Sequence, residues 1–176
     1  MDLPKANARP LSQMIGEDTE ETELFKRAAD EAIAYLKSFK WCKNILETYF
    51  CFGVSGVVEV FLFRVNRPLS TISDGETIDE WLWVIVGDLP SAYVVTDEAE
   101  SPRDALMAYC DEMREWVRTV LSEGDLRDVY PVGAQPTEKN ASLLSKRIDF
   151  LESEIIPLVT ASGTKGEVHD PHRPSP

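Results

Sequence analysis

Histidine is almost absent from this chain. The two histidines, His169 and His172, lie in a proline-containing stretch close to the C-terminus. A Ser-His-Asp or Cys-His catalytic arrangement needs a rigidly held imidazole, and nothing in that stretch would hold one in place. The sequence therefore argues against enzymes that rely on a histidine base.

Cysteine is scarce as well, and the glycine motifs that bind phosphate are missing. Cys42, Cys51 and Cys110 are widely spaced and include no C-x-x-C pair. This spacing indicates small buried thiols in a reducing compartment rather than a disulfide framework or a zinc site. Because neither G-x-x-x-x-G-K-[ST] nor G-x-G-x-x-G occurs, we also expect no cofactor, and no spacing of ligands predicts a metal site.

No apolar run approaches the length that crosses a membrane, and residues 1–5 lack the apolar core of a secretion signal. We therefore expect a cytoplasmic protein with no membrane partner. The 176 residues are 43% hydrophobic, which is typical of a globular protein. Composition predicts a flexible N-terminal arm over residues 1–18, a single α+β domain over 19–159 and a disordered tail over 160–176.

Positive charge is missing from one long interval. Residues 68–102 contain no lysine or arginine, within a chain whose formal charge is −13. The same interval carries eight carboxylates, which flank two apolar runs at 81–86 and 92–95: Asp74, Glu76, Asp79, Glu80, Asp88, Asp97, Glu98 and Glu100. Such a rim favours a cationic partner and disfavours nucleic acid, because phosphate binding needs lysine and arginine.

A long N-terminal helix is predicted from residue 20 to about residue 49. Its apolar residues recur at steps of three and four, which places them on one helix face: Phe25, Ala28, Ala32, Leu36, Phe39, Cys42, Leu46 and Tyr49. Strands are predicted at 57–65, 81–86 and 92–96. The connector 87–91 is too short for a parallel crossover, so the sheet is expected to be antiparallel.

Two further helices are predicted near the C-terminus. Ser101 followed by Pro102 and Asp104 is a helix start, and Thr137 is a second cap. Apolar residues then recur at helical spacing up to Pro157. The predicted fold is α+β, with an antiparallel three- to four-stranded sheet packed against the long N-terminal helix and two C-terminal helices.

Single carboxylates and tryptophans are the remaining candidates for function. Glu59 lies between two valines, so burial would raise its pKa and make it a general acid, or it lies near the strand start and reaches water or an arginine. Asp79 and Glu80 would hold a metal or simply precede a strand in solvent. Trp81 and Trp83 share a strand face and form either a recognition surface or core.

The string W-V-x-V-G-D-L-P-x-A-Y-x-V-T-D, which begins at Trp83, resembles a family of uncharacterised bacterial proteins. The resemblance extends over residues 39–157. It implies a bacterial origin and a cytosolic domain, and it carries over no activity, ligand or catalytic residue.

The leading hypothesis is a non-enzymatic interaction protein that masks a basic partner, as immunity proteins, antitoxins and inhibitors do. The expected contact residues are Asp74, Glu76, Asp79, Glu80, Trp81, Trp83, Asp88, Asp97, Glu98 and Glu100. The alternative is an enzyme or small-molecule binder with a carboxylate-lined pocket, with or without a divalent metal. A third possibility is a homomeric contact through Trp81 and Trp83, and the oligomeric state stays open.

Overall fold

The computed structural model describes residues 8–68 and 77–159. Within them, five antiparallel strands follow one another in chain order across a single sheet: β1 (Arg9–Pro10), β2 (Asn44–Val54), β3 (Val58–Pro68), β4 (Thr77–Gly87) and β5 (Ala92–Val95). The helices are α1 (Thr19–Lys37), α2 (Pro102–Leu121) and α3 (Glu138–Phe150), and short helical turns extend α3 to Leu158. The predicted α+β class and antiparallel sheet are confirmed. The predicted number of three to four strands is wrong.

The N-terminal helix is shorter than predicted. It ends at Lys37, the backbone N–H of Ser38 donates to the Ala34 carbonyl, and the chain then turns into β2. Leu46 and Tyr49 continue the helical spacing, but the run around them is rich in aromatic and β-branched residues, which favour strands. The segment pairs with β3 along most of that strand, and this pairing makes it a strand and not a helix.

The sheet lies between two helical layers because both of its faces are apolar. Phe61 and Phe63 of β3 are fully buried on the face that α1 covers. Val60 and Leu62 are fully buried on the opposite face, under α2 and α3. Successive side chains of a strand point to opposite faces of the sheet. The apolar residues on each face therefore form a separate core with the helices that cover that face.

Part of the predicted flexible arm over residues 1–18 is folded. β1 pairs with Tyr49 and Phe50 of β2, and Met14 is buried in the core beneath α1. Asp18 caps α1, since its side chain accepts a hydrogen bond from the Glu21 N–H at 2.8 Å. Residues 1–7 of the predicted arm and the predicted tail 160–176 lie outside the described residues.

Both predicted starts of the C-terminal helices are confirmed. The Ser101 hydroxyl accepts a hydrogen bond from the Asp104 N–H at 3.2 Å, and the Thr137 hydroxyl accepts one from the Asn140 N–H at 3.2 Å. These caps satisfy amide groups that have no partner within the helix.

Candidate functional site

The structure divides the predicted acidic surface between opposite ends of the sheet. Glu80 lies in the first half of β4, whereas Asp88 follows the last residue of that strand. Eight residues of extended chain separate them by about 26 Å. Two other predicted members, Asp74 and Glu76, lie outside the described residues, and Asp79 is in β4 opposite Asn66. The carboxylates that lie within residues 8–68 and 77–159 therefore do not form one continuous rim.

Two of the predicted acidic residues are neutralised by arginine. Arg67 contacts Glu80 at 2.6 Å from the neighbouring strand, and Arg147 of α3 contacts Asp88 at 2.5 Å. Neither carboxylate offers an uncompensated charge to a partner. In both pairs the two residues belong to different parts of the fold, so counting charges along the chain does not reveal the contacts.

The two tryptophans have different roles. Trp83 is fully buried, and its indole N–H donates to the Ala99 carbonyl at 2.8 Å. Its prediction as a contact residue is wrong, because a side chain closed off under α2 cannot meet a partner. Trp81 is half-buried on the same sheet face, where its ring lies 6.2 Å from that of Tyr49.

An acidic corner forms where the turn after β5 meets α2. We define it by seven carboxylates of that turn and helix: Asp97, Glu98, Glu100, Asp104, Asp111, Glu112 and Glu115. Partial burial raises the pKa of Glu112, and neighbouring negative charges raise it further, those of Glu115, Glu98 and Asp111. The fold therefore holds Glu98 of the turn close enough to Glu112 of the helix for their charges to repel.

Sequence reasoning found only the turn residues of the acidic corner. It missed the four helix residues Asp104, Asp111, Glu112 and Glu115, since acidic residues on an amphipathic helix usually face solvent. Their spacing was the available signal. Glu115 follows Asp111 by four positions and Glu112 by three, so the three side chains are neighbours on the helix.

An exposed methionine lies within the acidic corner. Met107 is 48% exposed, and it follows Asp104 by three positions and precedes Asp111 by four on α2. That spacing places all three side chains on one side of the helix. Methionine is enriched in protein interfaces, so this residue provides an apolar contact among the charges.

Glu59 is a buried carboxylate. It is 2% exposed on the sheet face that α1 covers, and its Oε1 accepts a hydrogen bond from the Gly56 N–H at 3.1 Å. Burial raises the pKa of Glu59 to about 7, with a smaller contribution from the negative charge of Glu31 on α1. Within the described part of the chain it forms no ion pair and is closed off from solvent, so the alternative in which it reaches water or an arginine is wrong.

A cleft of about 280 Å³ lies between α3, the β2–β3 turn and the β4–β5 connector. Apolar, cationic and anionic side chains line it: Val57, Leu89, Phe150, Leu151, Lys146, Arg147 and Asp88. Glu59 and Glu80 do not line it, and these two residues are themselves far apart, because Glu80 pairs with Val65 at the other end of β3. The predicted carboxylate-lined pocket is therefore not formed by these residues.

Other chemistry is limited within residues 8–68 and 77–159. No group of three or more His, Cys, Asp or Glu side chains in these ranges is arranged to hold a metal ion. Burial raises the pKa of the thiols of Cys51 and Cys110 to about 12, which makes both poor nucleophiles. No helix of this part of the chain is both long and apolar enough to cross a membrane.

A scan against protein-family models, a search of curated proteins and a search of solved structures each found no match. The resemblance of the segment beginning at Trp83 to a bacterial family stays a prediction.

Proposed function

We propose that this protein is a non-enzymatic acidic interaction module that binds a basic protein partner through the acidic corner. It would act as an immunity protein, antitoxin or inhibitor does, by covering a cationic surface. The observation that carries the proposal is the set of exposed carboxylates Asp104, Asp111 and Glu115 on one side of α2. The negative charge of Glu98, in the turn before the helix, also acts on Glu112 of the same helix.

Electrostatics favour a cationic partner at this corner. Carboxylates held close together repel one another, and this repulsion raises the free energy of the charged form of Glu112. Lysine or arginine from a partner would relieve it. Attraction of this kind accelerates association and weakens as salt rises, because ions screen exposed charges.

Met107 adds an apolar contact to the electrostatic attraction. It is 48% exposed within the charged surface. Its burial by a partner would contribute about 1 kcal/mol through the hydrophobic effect, since only about half of the side chain remains to be covered. Charge and apolar surface are thus adjacent, as in the core and rim of a protein interface.

The proposed surface differs from the predicted one. It keeps Asp97, Glu98 and Glu100, and it leaves out Glu80 and Asp88 because arginines neutralise both. Trp83 is left out because it is buried. The cleft gives no support to the catalytic alternative. Its charged lining residues are Lys146, Arg147 and one carboxylate, Asp88.

The test compares two triple variants with the same change in charge. One carries Glu98→Gln, Glu112→Gln and Glu115→Gln, and the control carries Glu20→Gln, Glu23→Gln and Asp30→Asn on α1, on the other side of the sheet. Each is used for affinity purification from the source lysate at low and high salt. The recovered partner is then purified and titrated calorimetrically.

We expect a basic partner, weaker binding at high salt, and a loss of about tenfold or more in affinity for the corner variant alone. A partner that is acidic, or binding that salt does not change, would contradict the proposal. An equal loss in both variants would show that net charge, and not this surface, controls binding.

A further inference from the structure

We propose that the cleft beside α3 binds a carboxylate attached to an apolar group, with Arg147 as the receptor for the carboxylate. The inference does not depend on the proposed function. The cleft lies beside Asp88, after the last residue of β4, whereas the acidic corner begins after Val95, which pairs with Leu82 in the middle of that strand. None of the seven carboxylates of the corner lines the cleft.

The walls of the cleft are held rigidly relative to each other. The Asp88 N–H donates to the Val57 carbonyl at 3.1 Å, which joins the β4–β5 connector to the β2–β3 turn. Gly87 has a φ of +140°, and a Cβ there would lie 2.4 Å from the Val57 oxygen. Only glycine permits this close approach, so the two turns form one fixed wall.

The lining selects for a ligand that is partly apolar. Val57, Leu89 and Leu151 provide aliphatic surface, and the ring of Phe150 is 46% exposed at the edge. A volume of about 280 Å³ is close to the lower limit for small-molecule sites, so it suits a single ring or a short branched chain.

Arg147 provides the polar end of the site. Its Nε donates to the Asp88 carbonyl and its Nη2 to the Asp88 carboxylate, both at 2.5 Å. The first bond fixes the guanidinium plane, and a guanidinium binds carboxylates through two parallel N–H groups. Here the Asp88 carboxylate occupies only Nη2, because Nε is bonded to the backbone carbonyl. A ligand carboxylate would replace the Asp88 side chain at Nη2.

Asp88 is a carboxylate that a ligand can displace. Its side chain is 70% exposed and that of Arg147 is 42% exposed. Exposed ion pairs of this kind contribute little to stability, so exchanging one carboxylate for another costs little. Lys146 lines the same cleft and would compensate the negative charge that remains on Asp88.

The ligand carboxylate has two chemical sources, a free small acid or the C-terminus of a peptide. The first arm of the experiment titrates phenylacetate into ¹⁵N-labelled protein and follows backbone amide shifts by NMR, with phenylacetamide and acetate as controls. The second arm uses a tetrapeptide ending in leucine, as the free acid and as the amide.

We expect shifts at Val57, Leu89 and Phe150 with phenylacetate or with the peptide acid, and much smaller ones with the amides or with acetate. Arg147→Gln should weaken binding about tenfold, because a charge-assisted hydrogen bond to the carboxylate is lost. Asp88→Asn should strengthen binding, since the competing carboxylate is removed. Lys139→Gln, on the same helix outside the cleft, is the matched control and should leave the affinity unchanged.

Equal binding of acids and amides would overturn the proposal, as would shifts that map outside the cleft. Weaker binding in the Asp88→Asn variant would also overturn it. Circular dichroism of each variant before titration separates a loss of the site from a loss of the fold.

Discussion

The hydroxyl of Tyr130 lies 2.9 Å from the hydroxyl of Tyr35, although 95 positions separate the two residues. Tyr130 comes from the loop between α2 and α3, and Tyr35 belongs to α1 on the opposite side of the sheet. The Tyr130 hydroxyl also accepts a hydrogen bond from the Tyr93 N–H of β5 at 3.0 Å. One loop residue therefore joins both helical layers and satisfies an amide on the edge strand.

Tyr130→Phe tests this connection. The variant leaves the Tyr93 N–H and the Tyr35 hydroxyl without their partner in a half-buried place, so we expect the free energy of unfolding to fall by about 1–3 kcal/mol. Tyr35→Phe removes one hydrogen bond and keeps the one between Tyr130 and Tyr93. Its free energy of unfolding should therefore fall by less than that of Tyr130→Phe. Urea denaturation measures both. Equal losses, or none for Tyr130→Phe, would show that the contact does not stabilise the fold.

Glu59 should make stability depend on pH. Burial raises its pKa to about 7 in the folded protein, so folding favours the protonated form. Between the unfolded pKa of about 4.3 and the folded value, the native state binds more protons than the unfolded state, and stability falls as pH rises. Below this window the carboxyl is neutral in both states, and above it the full cost of a buried charge remains.

Glu59→Gln removes that charge and keeps an oxygen that accepts from Gly56. Relative to the natural protein, we expect the variant's free energy of unfolding to increase by roughly 2–3 kcal/mol as the pH rises from 5 to 8, as the shifted pKa implies. Urea denaturation at both pH values measures the difference. If the difference in free energy of unfolding between the two proteins is the same at both pH values, the expected titration of Glu59 is contradicted.

Gly87→Ala should destabilise the protein strongly. The residue has a φ of +140°, which disfavours any side chain, and its Cβ would meet the Val57 carbonyl oxygen at 2.4 Å. We expect the free energy of unfolding, measured by thermal denaturation, to fall by about 2 kcal/mol or more. Gly133→Ala is the control, because a Cβ there has no atom within 4 Å. Similar melting temperatures for both variants would show that the turn is not constrained.

Trp83 and Trp81 should differ sharply when each is replaced by phenylalanine. Trp83→Phe removes the donor to the Ala99 carbonyl and leaves a cavity in the core, so we expect a loss of about 2–4 kcal/mol. Trp81→Phe changes a half-buried ring and should cost less than about 1 kcal/mol. Guanidinium denaturation followed by circular dichroism distinguishes them. A larger loss for Trp81 would reverse the assignment of core and surface.

Helix starts were predictable because capping involves residues only three positions apart. Ser101 and Thr137 were identified as caps from neighbouring residues alone, and the structure confirms both. β2 was missed for the opposite reason. Leu46 and Tyr49 fit the spacing of a helix and also occur in a strand-forming run, and only pairing with β3 decides between the two.

The candidate site was only partly predictable. The excess of carboxylates between residues 68 and 102 is visible in the composition, but the charge that remains depends on which carboxylates meet an arginine. Arg147 reaches Asp88 across 59 positions, and Arg67 reaches Glu80 through the register of β3 and β4. Neither contact leaves a pattern in a short stretch of sequence.

Interactions between near neighbours determine the helix caps, the two apolar sides of β3 and the regional negative charge, because each needs only a few consecutive residues. The packing of helices over the sheet decides that Trp83 is core, that Asp88 is neutralised and that the charge of Glu98 acts on Glu112. These outcomes depend on distances between elements far apart in the chain, and such distances exist only once both cores are buried.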